Sequence, residues 1–174
     1  MPNAKRPLPK KAPPTYEALA ARMAKLQRAL VRRRLTVAVA ESCTGGLLGA
    51  ILTSQGGSSA FFKGGAEVYS DEAKTELADV PPQLIASHGA VSSVVGGALA
   101  RGARTRLGAK IGLGITGIAG PGGETPGKHV GLTYVAIDSE KHSAVKKYEW
   151  TFDRQGNRLA SVGAALELLE ELVG

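Results

Sequence analysis

The sequence predicts an α/β protein: a three-layer α/β/α sandwich around a mostly parallel mixed sheet with a late antiparallel hairpin. Three observations carry this. Apolar strand-like runs alternate with helical periodicities through the first two thirds of the chain. Two of those runs, 37–40 (Val-Ala-Val-Ala) and 111–115 (Ile-Gly-Leu-Gly-Ile), pass directly into glycine-rich turns, as strands do at the ligand-binding edge of open α/β sheets. Late in the chain, strand-like runs at 130–137 and 144–152 flank Asp138-Ser139-Glu140-Lys141, which reads as a hairpin turn.

Taken in order, residues 1–14 carry five prolines among lysines and read as a flexible basic arm. Thr15 is a helix N-cap, and Tyr16, Leu19, Met23, Leu26 and Leu30 form one apolar face of a helix that stops near Arg33 or Arg34. A strand at 36–40 leads through a turn into a second helix ending near Ser54, then a loop at 55–59 and a short helical or extended piece at 60–62. A second strand is expected at 64–69. Ser70 caps the next helix, with Asp71 and Glu72 in its first turn and Lys74 close behind, running to about Ala78. Pro81-Pro82 starts a short helix at 83–87. Ser92 or Ser93 caps another, with Val94, Val95, Ala98, Leu99 and Ala103 inward. The final helix starts near Gly156 and turns Leu159, Val162, Ala165, Leu166, Leu169 and Leu172 to the core.

With 174 residues, 43% of them hydrophobic, residues 15–174 suffice for one domain with a substantial core. The net charge of +7 comes largely from the arm and from the first helix; aromatic content of 5% argues against a base-stacking platform, so nucleic-acid binding is not expected. A single cysteine excludes an intrachain disulfide and makes a reducing cytoplasm the expected compartment. No apolar run approaches the roughly 18 residues of a membrane span, and the basic N-terminus lacks the apolar region of a signal peptide.

The stretch Glu41-Ser42-Cys43-Thr44-Gly45-Gly46 concentrates a carboxylate, two hydroxyls and a thiol at a strand end, and the following helix offers free N–H groups. The plain alternative is an N-cap cluster on a glycine turn. There is no phosphate-binding Gly-x-x-x-x-Gly-Lys-Ser/Thr, Ser42 lies in no Gly-x-Ser-x-Gly elbow, and His88, His129 and His142 show no metal-ligand spacing. A hydroxyl nucleophile here needs another base, and a lysine serves if burial lowers its pKa. Lys74 and Tyr69 lie on a strand-to-helix connection like that holding Ser42. Ser42, Lys74 and Tyr69 would suffice for acyl transfer on an amide, with N–H groups near Gly45 and Gly46 as the oxyanion hole. A solvent-facing Lys74 and a sheet-edge Tyr69 are the plain readings, and Cys43 is a rival nucleophile.

Ala-Glu-Ser-Cys-Thr-Gly-Gly at 40–46 resembles the first motif of the CinA C-terminal domain family, the nicotinamide-nucleotide amidohydrolases of PncC type. Gly-Gly-x-x-x-Tyr-Ser-x-Glu-Ala-Lys at 64–74, His-Gly-Ala-Val-Ser at 88–92 and Gly-Ile-Thr-Gly-Ile-Ala-Gly-Pro-Gly-Gly at 114–123, with Gly127-Lys128 and Val130-Gly131 beyond, are similar to three further motifs. The resemblance spans about residues 16–173 and implies the same three-layer sandwich. It also implies hydrolysis of the carboxamide of nicotinamide mononucleotide to nicotinic acid mononucleotide and ammonia, without metal or organic cofactor. Ser42 would be the nucleophile, Lys74 its base and Tyr69 an aid to proton transfer or orientation. Thr44, Gly45 and Gly46 would shape the oxyanion and amide site, and Glu41 would pair with the pyridinium ring. Thr116, Gly117, Ala119, Gly120 and Gly122 would line the nucleotide side, and Arg154 or Arg158 would meet the phosphate. His129 stands where the family often has proline. The family's long form has an N-terminal domain in place of the basic arm, so a stand-alone, self-associating form is expected. Two other classes remain: a nucleotide-binding module without catalysis, and a competence- or DNA-damage-related interaction protein acting through the arm.

Overall fold

The computed structural model describes residues 12–174; the arm expected at 1–14 falls outside the described residues up to residue 11. Among the described residues six helices and five strands follow in the order α1 (Tyr16–Arg32), β1 (Val37–Glu41), α2 (Leu47–Leu52), β2 (Phe62–Glu67), α3 (Asp71–Ala78), α4 (Pro82–His88), α5 (Ser93–Arg106), β3 (Ile111–Gly117), β4 (Leu132–Ser139), β5 (Ser143–Glu149) and α6 (Arg154–Val173), with one turn of 3-10 helix at Ser58–Ala60. The sheet order is β2-β1-β3-β4-β5. Strands β2, β1 and β3 are mutually parallel, β4 runs antiparallel to β3, and β5 runs antiparallel to β4. Four of the five strands thus share one direction.

The helices start where their caps dictate. Thr15, Ser70, Ser92 and Asp153 accept N–H bonds from Ala18, Ala73, Val95 and Gly156, supplying acceptors for first-turn donors that have no intrahelical partner. The second strand ends at Glu67 rather than Tyr69, which puts Tyr69 on the β2–α3 connection. The hairpin turn falls later than expected, since β4 continues through Asp138 and Ser139.

The two faces of the sheet differ in side-chain size because strand residues alternate in direction. Val37, Val39, Ile111, Leu113 and Ile115 meet buried side chains of α1, α2 and α6 in the larger core. Ala38 and Ala40 face the smaller core under α3 and α5. On that second face β3 presents Gly112 and Gly114 before Thr116, and α5 lies almost on the backbone of the two glycines. A Cβ on Gly114 would stand 2.5 Å from the Ala100 nitrogen and 2.6 Å from the Gly96 carbonyl oxygen, and one on Gly112 would collide with the Ala100 carbonyl. The alternation of glycine with large aliphatics in β3 therefore encodes two helix layers at different distances from one sheet.

Since Gly114 faces helix backbone that cannot yield as a flexible side chain does, Gly114→Ala is expected to destabilise the protein by about 1–3 kcal/mol, an overpacking cost. Chemical denaturation of the two proteins checks this; an unchanged midpoint would contradict the close approach.

Candidate functional site

Strands β1 and β3 are parallel neighbours, with Glu41 opposite Ile115. Their following turns therefore share one edge of the sheet, and the Ser42 N–H donates to the Ile115 carbonyl at 3.0 Å. A cavity of about 270 Å³ opens there. Ser42 and Cys43 line it from the β1 turn, Tyr69, Asp71 and Lys74 from β2–α3, Ala90 and Val91 from α4–α5, residues 116–120 with Gly122 and Gly123 from the β3 turn, and Arg154 from α6. A groove of about 580 Å³ between α5 and the β4–β5 hairpin is larger, but Ser42, Lys74 and Tyr69 are not part of it.

Lys74 is not a solvent-facing helix lysine. Its side chain is 2% exposed, and its Nζ donates to the Tyr69 and Ser70 carbonyls, both at 3.3 Å. Burial pushes the Lys74 amine below the ordinary lysine value, since the charged form loses solvent; Asp71, whose Oδ1 lies 3.6 Å from Nζ, pulls the other way. Ser42 is buried to 8% exposure. Cys43 belongs to the large core, and burial raises its thiol to about 12, which keeps it protonated and a poor nucleophile at neutral pH. Tyr69 is 65% exposed, and its phenol oxygen accepts from Arg154 Nη2 at 3.3 Å.

The structure separates the remaining expected residues. Thr116, Gly117, Ala119, Gly120, Gly122 and Arg154 are on the cavity. Thr116 Oγ1 donates to the Ala90 carbonyl at 2.8 Å, joining two walls, and Arg154 Nη1 donates to the Gly120 carbonyl at 2.6 Å. Glu41, Thr44, Gly45, Gly46 and Arg158 are not on its lining. Glu41 was expected to face a cationic ring. Instead its buried carboxylate accepts the Leu48 and Gly49 N–H groups at 2.9 and 2.8 Å. It thereby occupies the N-terminus of α2, the anion site expected for a ligand. The Gly45 N–H is likewise taken, by the Ser42 carbonyl. Gly45 and Gly46 have φ of 56° and 87°, so these glycines allow the turn itself. Arg158 donates to the Thr44 carbonyl at 2.7 Å and to Gln155, bracing the turn from behind. Thr44 Oγ1 is buried without a partner.

Two contributors escaped the sequence reading. Asp71, taken there as a helix-dipole residue, supplies the carboxylate among the cavity's lining residues. Asn157 is buried in the first turns of α6, where its Nδ2 donates to the Ala119 carbonyl at 3.0 Å and its Oδ1 accepts the Phe152 N–H, fixing the second glycine turn against α6. No spacing in Arg154-Gln155-Gly156-Asn157-Arg158 marks that asparagine.

The fold and this edge define an α/β sandwich with a small-molecule-sized cavity at the carboxyl ends of parallel strands. The chain belongs to the CinA C-terminal domain family, which matches residues 19–173. A CinA-like protein of Acidobacterium capsulatum is 51% identical over 140 residues, covering 80% of this chain and 34% of that protein. A putative competence-damage inducible protein of Moorella thermoacetica is 48% identical over 140 residues, with the same 80% and 34% coverage. The chain thus spans about a third of the length of these curated relatives. Among solved structures, the competence/damage inducible protein CihA of Agrobacterium tumefaciens superposes with a TM-score of 0.87 at 33% identity, covering 93% of this chain and 98% of that one. The competence damage-inducible protein A of Klebsiella pneumoniae gives 0.85 at 32% identity, covering 88% and 96%. Among the described residues no helix is long and apolar enough to cross a membrane.

A buried ammonium costs stability whenever it is charged in the folded state. Lys74→Met is expected to raise the folding stability near neutral pH by about 1 kcal/mol, or roughly 3 °C in thermal midpoint for a chain of this size. The sign follows from linkage: the folded state releases the Lys74 proton at lower pH than the unfolded chain does. Wild-type stability therefore climbs relative to the variant as pH rises from the depressed folded value to the ordinary value of about 10.4. Thermal melts of both proteins across that range check the convergence; a lower midpoint for the methionine variant at neutral pH would contradict it.

Proposed function

We propose that this chain hydrolyses the carboxamide of nicotinamide mononucleotide, giving nicotinic acid mononucleotide and ammonia through an acyl-enzyme on Ser42. What supports this reading is a buried lysine amine on the same cavity wall system as a serine hydroxyl, at an edge where two glycine turns meet. A nucleotide-binding module without catalysis gives no reason to bury Lys74 at a cost in stability.

In this mechanism the neutral Lys74 amine takes the Ser42 proton as Oγ attacks the carboxamide carbon. The positively charged pyridinium ring makes that carbon a better electrophile. The oxyanion is received by backbone N–H groups that line the cavity, and those of Leu48 and Gly49 are not among them because Glu41 holds both. The lysine returns its proton to the departing nitrogen, and ammonia leaves. Water, deprotonated by the same amine, attacks the Ser42 ester; the carboxylate product departs and Ser42 regains its proton. Tyr69, bridged to Arg154, orients the substrate at the mouth. Arg154, which lines the cavity, meets the phosphate, whereas Arg158 is off that lining and braces the Thr44 carbonyl. The proposed chemistry uses neither metal nor organic cofactor.

Ammonia release from nicotinamide mononucleotide, measured in chelator, tests the reading. Ser42→Ala is expected to lower the rate by about 10³-fold or more, as loss of a nucleophile does, while Cys43→Ala keeps most of it. The reverse pattern would move the nucleophile to Cys43. Because the base works as the neutral amine, kcat/KM is expected to rise with pH toward a plateau, with a midpoint below the ordinary lysine value of about 10.4. A profile flat across that range would remove Lys74 from the base role.

A further inference from the structure

The carboxylate among the cavity's lining residues stands one helical turn before Lys74. Asp71 and Lys74 are at i and i+3 on α3, so their side chains lie on one face of the helix. Their environments are opposite: the Lys74 side chain is 2% exposed and that of Asp71 58%. Among the described residues the Lys74 Nζ is otherwise held by the Tyr69 and Ser70 carbonyls, each at 3.3 Å, which fix its position without neutralising its charge. We propose that Asp71 is a positioning residue for Lys74, its carboxylate steering the amine from the cavity rim and holding the proton on it until the substrate enters. This role rests on the reading of Lys74 as the base, and it extends that reading to how the base is controlled.

The other groups facing Lys74 do not duplicate the effect. Glu72, on the same helix, is exposed and exerts only a weak pull. From the β1 turn come the Ser42 hydroxyl and the Cys43 thiol, the latter kept protonated by burial. From the β2–α3 connection comes Tyr69, whose phenol oxygen engages Arg154. From α6 comes Arg154 itself, a cation on the same cavity that supplies no negative charge. Residues 117–120, with Gly122, Gly123, Ala90 and Val91, bring no titratable side chain to the cavity. Asp71 is therefore the carboxylate that faces both Nζ and the space a ligand would fill. A cationic ligand in that space draws on the same negative charge, which weakens the hold on the lysine proton.

The test is a titration of Lys74 by NMR on protein labelled at lysine, with Lys74→Arg identifying the signal, in wild type and Asp71→Asn. The variant removes the charge and keeps the size. The Lys74 midpoint is expected to fall in Asp71→Asn, changing the protonation equilibrium by about threefold or more, the upper part of the range for pairs with one exposed partner. High salt is expected to lower the wild-type midpoint toward that of the variant and to leave the variant nearly unmoved. The acid limb of kcat/KM for ammonia release is expected to move by the same interval, so that the variant is faster than wild type below the wild-type midpoint. An unchanged or raised Lys74 midpoint in the variant overturns the proposal whatever the enzyme's activity. A lowered midpoint with an unmoved activity limb supports the Asp71–Lys74 coupling and instead overturns Lys74 as the base.

Discussion

The close approach of α5 to the centre of the sheet is the constraint from which the site follows. It exists because β1 and β3 present Ala38, Ala40, Gly112 and Gly114 to that side, leaving helix and strand backbones nearly in contact. The closeness extends one layer outward: a Cβ on Gly102 of α5 would collide with the Ala78 carbonyl at the end of α3. Helix α3 is therefore seated on α5 as α5 is seated on the sheet. With its C-terminus pinned and its N-terminus capped by Ser70, α3 has little freedom to rotate, and its Lys74 stays turned toward the end of β1. A lysine stem on such a helix would snorkel to solvent if the helix could roll; here the packing keeps it inside.

On the opposite face, the charges near the nucleophile turn serve the backbone. Glu41 accepts two N–H groups of α2, Arg158 holds the Thr44 carbonyl, and Asn157 holds Ala119. These bonds fix both glycine turns from behind, so that Ser42, residues 116–120 and Arg154 can face the cavity. On the cavity side Thr116, Arg154 and Lys74 also donate to backbone carbonyls, yet Lys74 retains a destabilising burial. Rigid support behind and a buried amine held in place in front is the arrangement that preorganised sites require.

Much of this was legible in the residues. The caps at Thr15, Ser70 and Ser92, the parallel strands feeding two glycine turns and the late hairpin all follow from local rules. The alternation in β3 was visible as a strand pattern, although its meaning as a close helix contact needs the third dimension. Glu41 was misplaced although the rule that places it is simple. Val37, Val39 and Glu41 share one face of β1, so the carboxylate follows the valines toward α2 while Ser42 turns the other way. Arg154 and Arg158 could not be separated by sequence, since they are one helical turn apart and only the position of the α6 start relative to the cavity distinguishes them. The burial of Lys74 was not legible either. A short helix with Asp71, Glu72, Lys74 and Glu76 gives a weak apolar face, and what covers the lysine comes from distant turns.

Acyl transfer to Ser42 is the step on which the proposed chemistry depends. Rapid-quench intact mass spectrometry during the first turnover on nicotinamide mononucleotide, followed by peptide mapping, tests it directly. A transient adduct with the mass of the substrate less ammonia, located on Ser42, is expected. An adduct on Cys43, or ammonia formed over the first turnover with the protein mass unchanged under quench conditions that preserve a control ester, would contradict it.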